Sequence, residues 1–102
     1  MKQRNAISLT LACVLVAGAS AAMAYSGERY QSEAKIDIQQ ARAIALKASP
    51  GKIVDEELEK EHGGSGLRYS FDIRNGSATQ EVGVDAKTGA VLENSTEGPN
   101  PD

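Results

Sequence analysis

Tryptophan is absent, phenylalanine occurs once and tyrosine three times, so aromatics make up only 4% of this 102-residue chain. A chain of that length forms one small domain and has no room for a second sizeable core or a deep enzyme pocket. Basic residues are not in excess: 11 Lys and Arg stand against 14 Asp and Glu, a formal net charge of -3. Nothing therefore forms the basic stripe that phosphate neutralisation requires, which argues against a nucleic-acid partner. Cysteine occurs once, at Cys13. No apolar run reaches the ~20 residues a membrane span needs.

What is present begins with an export signal. Lys2 and Arg4 form a positive n-region, and Ala6 to Ala17 is uncharged and mostly apolar. Ala22-Met23-Ala24 gives the small-x-small pattern of a signal-peptidase site, so residues 1–24 read as a signal peptide cleaved between Ala24 and Tyr25. Ala19-Ser20-Ala21 is an earlier alternative. Cys13 does not read as a lipoprotein cysteine, because Thr10 stands where an apolar residue is required. Cleavage leaves a chain without cysteine or methionine, and the loss of Lys2 and Arg4 moves its charge from -3 to -5. No stable membrane span remains after cleavage. An exported domain without disulfides must fold on its core alone, which points to a periplasmic or secreted bacterial envelope protein.

The remaining chain divides into a polar, flexible lead-in over residues 25–35, a folding unit over residues 36–93 and a disordered tail over residues 94–102. Asp37 and Gln40 form a capping-box pattern, with Ile36 placed as a staple. Ile38, Ala41, Ile44, Ala45 and Ala48 then follow a helical stripe that Ser49-Pro50-Gly51 stops. Leu67, Tyr69, Phe71 and Ile73 alternate with Arg68, Ser70, Asp72 and Arg74, and Asn75-Gly76 follows as a hairpin signal. With those two residues as the turn, Arg74 faces Ser77, Ile73 faces Ala78, Phe71 faces Gln80, Tyr69 faces Val82 and Leu67 faces Val84. Arg68, Ser70, Asp72, Arg74, Thr79 and Glu81 are then expected on a solvated face. Lys52 to Glu61 reads as a further strand with Val54 and Leu58 on one face. Asp85 to Gly89 reads as a tight turn into Ala90-Val91-Leu92. The expected fold class is α+β: one N-terminal helix on one face of a three- to four-stranded antiparallel meander.

Chemistry-bearing residues are sparse. After cleavage there is no thiol, and His62 is the single histidine, beside Gly63-Gly64-Ser65-Gly66. That loop is neither a nucleophile elbow nor a phosphate cradle, since Leu67 stands where the elbow needs glycine and a strand follows. No catalytic residue, cofactor site or metal site is expected. The one charge cluster is Asp55, Glu56, Glu57, Glu59 and Glu61. On an extended strand Asp55, Glu57, Glu59 and Glu61 share a face and Glu56 points the other way. They read as the solubilising charge of an edge strand or as a partner-docking face. A metal or small-ligand role for Asp55 to Glu61 is the alternative, although the turning loop of an EF-hand is missing.

Three blocks carry a family likeness: Ile38 to Leu46, Tyr69 to Ile73, and Glu81 to Leu92 with its Asp85-Ala86-Lys87-Thr88-Gly89 run. Together they resemble the PepSY domain over roughly Ile36 to Leu92. The resemblance implies a non-enzymatic binding module, with restraint of a peptidase as one form that would have to act in trans; the expected partner is an envelope protein or a peptidase, and self-association is a further outcome. It implies no catalytic residues.

Overall fold

The computed structural model describes residues 25–97, so the expected signal peptide and residues 98–102 lie outside the described residues. The capping box closes as expected: the Gln40 N–H donates to Asp37 Oδ1 at 2.8 Å, and the Asp37 N–H donates to Gln40 Oε1 at 2.9 Å. It opens helix α1, Ile38–Ala48, which Ser49 caps just before Pro50. Ala41 and Ala45 are fully buried, and these small side chains let the helix lie close to the sheet.

Four strands follow, β1 Lys52–Lys60, β2 Leu67–Asn75, β3 Ala78–Asp85 and β4 Val91–Thr96, paired antiparallel in chain order. The core is Leu58, Leu67, Tyr69, Phe71, Ile73, Val82, Val84 and Ala86 against the helix alanines. The α+β meander is therefore as expected, in its four-stranded form.

Five local expectations are corrected. The β2–β3 turn is Gly76-Ser77, because Asn75 pairs with Ala78, so every pair slips by two residues: Tyr69 faces Val84, Phe71 faces Val82 and Ile73 faces Gln80. Gly76 takes the positive φ of 68° that the first turn position demands. The slip gives both aromatics a β-branched partner, and an even slip leaves every side chain on its expected face.

In β1, Val54 is an extra residue between Ile53, which faces Ile73, and Asp55, which faces Asp72. This bulge turns Val54 outward, 48% exposed, while Leu58 is 1% exposed, so the two do not share the core face. β4 also runs on to Thr96, into the expected tail. Gln80 holds it there by donating to Asn94 at 2.7 Å and accepting from Thr96 at 2.8 Å.

The lead-in is a second cover for the sheet rather than a structureless segment. A helix about 10 Å across spans only two or three strands spaced ~4.8 Å apart. Helix α1 packs on β2, β3 and β4, and a 3-10 helix, Glu28–Glu33, packs on β1. Tyr25 tilts against Tyr69 with ring centroids 6.4 Å apart, and the Leu58 N–H donates to Ser26 O at 2.8 Å. Gly27, at φ 84°, fits where a Cβ would collide with the Leu58 carbonyl.

The fifth correction concerns Arg68, which is only 8% exposed although its face was expected to be solvated. Its guanidinium donates to His62 O at 3.1 Å and pairs with Glu93 at 3.3 Å. Its stem lies over Gly83, where a Cβ would meet Arg68 atoms at 3.0 and 3.3 Å.

Candidate binding face

No second layer covers the side of the sheet opposite α1 among the described residues, and carboxylates dominate it. Strand alternation brings Asp55, Glu57 and Glu59 to this side of β1, Asp72 to β2, Glu81 to β3 and Glu93 to β4. The register sets Asp55 directly across from Asp72, and Asp72 directly across from Glu81. Carboxylate oxygens of Asp72, Glu81 and Glu97 all lie within 4.8 Å of one another.

The electrostatics follow from this crowding. Partial burial raises Asp72 above its ordinary value, and Glu97 and Asp55 push it the same way. Partial burial likewise raises Glu81, with Glu93 and Asp72 adding to it, and Glu57, with Glu59 and Asp55 adding to it. Relief is local: the Ser70 hydroxyl donates to Glu59 at 2.7 Å, and Arg68 meets Glu93 and stands 4.0 Å from Glu61.

Of the four carboxylates read as a partner-docking face, Asp55, Glu57 and Glu59 share one side of the sheet, and the exposed Glu61 sits just past the end of β1 at the rim. Glu56 points the other way, as expected, and is held bidentately by Arg42 at 2.9 and 2.7 Å. Sequence reasoning placed Asp72 and Glu81 on this polar face without counting them as part of a site. It missed Glu93 and Glu97 because they lay at the edge of the expected domain and in its tail. The signal for Asp72 and Glu81 was the strand alternation itself, which puts them beside the acidic strand once β1 pairs with β2.

Two other features belong to the scaffold. Asp85, 1% exposed, accepts from the Ser65 N–H and hydroxyl at 2.6 and 2.8 Å, and from the N–H groups of Lys87 and Thr88 at 2.8 and 3.1 Å. It thereby ties the glycine-rich loop to the β3–β4 turn and occupies the Ser65 hydroxyl. A groove of about 480 Å³ lies beyond the outer edge of β1, lined by Tyr25, Ser26, Arg42 and the Ile53 to Glu56 stretch. Burial there, with the nearby Tyr69, pushes the Tyr25 hydroxyl up to about 12. No helix among the described residues is long and apolar enough to cross a membrane.

The model of one protein family, described as peptidase propeptide and YPEB domain (PepSY), matches residues 35–94. No curated protein and no solved structure matches the chain.

Proposed function

Since the chain belongs to the PepSY family, we propose that it is an exported, non-enzymatic module that docks a basic surface of a partner protein against its acidic sheet face. PepSY domains are propeptide- and inhibitor-type domains associated with peptidases, typically in exported proteins. A peptidase held in trans is accordingly the partner class this reading names. Export to the periplasm or beyond rests on the Lys2/Arg4 n-region, the apolar stretch and the Ala22-Met23-Ala24 site.

The observation that carries the reading is the row Asp55–Asp72–Glu81. Like charges directly opposite on neighbouring strands destabilise a sheet by a few tenths of a kcal/mol per pair. A fold with Ser70 and Thr79 on the same face had neutral alternatives at those positions. A basic partner offsets this cost, and complementary charge also speeds encounter and fixes orientation.

The test is capture from a native envelope extract by the immobilised protein, in parallel with the D72N/E81Q double variant. Wild type is expected to retain a partner in near-equal amount and to release it at about 0.5 M salt, where screening is strong. The double variant should retain much less. Equal retention by both proteins overturns the docking face.

A second reading has one observation in its favour. Among the described residues, the carboxylates grouped closely enough to share a divalent cation are Asp72, Glu81 and Glu97, rather than the acidic strand Asp55 to Glu61 of the sequence-based alternative. Calorimetry with calcium decides it, and no heat at millimolar metal ends it.

A further inference from the structure

We propose that the partner contributes an extended basic segment that adds as a fifth strand along the outer edge of β4, an inference that rests on the acidic-face reading above. The hydrogen-bond phase of the sheet comes first. The Glu97 N–H donates to Thr79 O at 2.8 Å, and Ser95 and Glu93 face Glu81 and Gly83. Main-chain groups of alternate residues point to the same side of an antiparallel strand. Glu93, Ser95 and Glu97 therefore spend theirs on β3, and Asn94 and Thr96 turn their N–H and C=O groups outward.

The two sheet edges differ. On β1 the outward Leu58 N–H is taken by Ser26, a parallel bridge joins Ser26 to Glu57, and the Val54 bulge breaks the line. On β4 no described residue pairs with the outer side, and its own register break, at Leu92 between the Val84–Val91 and Gly83–Glu93 pairs, lies before Asn94 and Thr96. That edge has no proline or lysine to discourage pairing, and Val91 stands 44% exposed beside it.

The side chains then specify the occupant. On the open face an added strand runs beside Glu93 and Glu97, with Glu81 one strand further in. On the helix side it runs beside Asn94 and Thr96. A segment that alternates Lys or Arg with Thr or Val meets both, its cations on the carboxylates and its β-branched residues toward Val91. Main-chain bonds supply affinity and the alternation supplies selectivity.

The probe is a ten-residue capped peptide alternating Lys with Thr, titrated into the isotope-labelled protein. The control peptide has proline in place of every Thr, keeping the charge and removing half of the donors. The Lys–Thr peptide is expected to slow amide exchange at Asn94 and Thr96 by about tenfold or more, and the control is expected to leave it unchanged. T96P removes one outward N–H without breaking a main-chain β3–β4 bond, loses the hydroxyl bond to Gln80 just as T96V does, and should weaken the peptide by about tenfold. T96V keeps that N–H and should bind within about threefold of wild type.

If the peptide shifts the Asp72 and Glu81 resonances while Asn94 and Thr96 exchange as before, and T96P binds like T96V, strand addition is overturned and the docking face survives. If millimolar peptide shifts nothing, both fall.

Discussion

Asp85 shows how one side chain holds two loops. Burial works to raise its carboxyl, yet the donors from Lys87, Ser65 and Thr88 outweigh burial and hold it at about 2. A folded value below the unfolded one, near 3.8, means the unfolded chain binds the proton more readily as pH falls. The stabilisation, roughly 2 kcal/mol from the size of the shift, is fully present above pH 3.8 and is lost as pH falls toward 2. Asp85→Asn keeps the size but exchanges an acceptor oxygen for an NH2 group among N–H donors, and should cost about 2–3 kcal/mol at neutral pH. Denaturant titrations of both proteins at pH 7 and pH 2.5 check this. The gap between them should narrow at the lower pH, and a constant gap would remove Asp85 as the acid-sensitive group.

At the scale of elements, the β2–β3 turn gives the sharpest test. An Asn75-Gly76 turn would require a positive φ at both residues, whereas the observed Gly76-Ser77 turn needs it only at Gly76 and leaves Asn75 in the strand. Gly76→Ala should therefore cost about 1 kcal/mol. Asn75→Thr loses only the donation to Pro50 O and should stay within about 0.5 kcal/mol. Comparable losses from the two, measured by urea denaturation, would favour the turn read from sequence.

The same elements show what was legible and why. Helix α1 was, because its cap and stripe are local features. The core face of β2 and β3 was, because period-two patterning survives a slip of two residues. The exact pairing was not, since Asn-Gly and Gly-Ser are adjacent and both good turn pairs. The β1 bulge leaves its trace in Ile53 and Leu58, two core residues an odd number apart, which a regular strand cannot place on one face. The 3-10 helix has no apolar period to reveal it, for Tyr30 is its one hydrophobic side chain packed on the core, with Tyr25 packing from just before it. The candidate face was half legible. Asp55, Glu57 and Glu59 adjoin in sequence, whereas Asp72, Glu81, Glu93 and Glu97 join them only through the pairing of four strands.

Across the whole molecule, two sets of carboxylates oppose each other in their response to pH. Glu57, Asp72 and Glu81 are raised in the fold, first by burial and then by their acidic neighbours. For these groups the native state binds protons more readily than the unfolded chain, so stability falls as pH rises through their raised values, the reverse of Asp85. Below the ordinary carboxylate range that penalty is absent, while the Asp85 contribution is lost only toward pH 2. Stability should therefore peak on the acidic side of neutrality, above the range in which Asp85 protonates. Thermal melts from pH 3 to 8 check the peak. D72N/E81Q should raise the melting temperature at pH 7 and flatten its fall between the peak and neutrality, and added salt should do the same for wild type by screening the row. Docking must respond in the opposite sense, because a face that has taken up protons attracts a basic partner less. The protein should thus bind best at a pH where it is not at its most stable. A wild-type melting temperature that is flat across this range, or unchanged by the double variant, would mean the carboxylate row carries no strain for a partner to relieve.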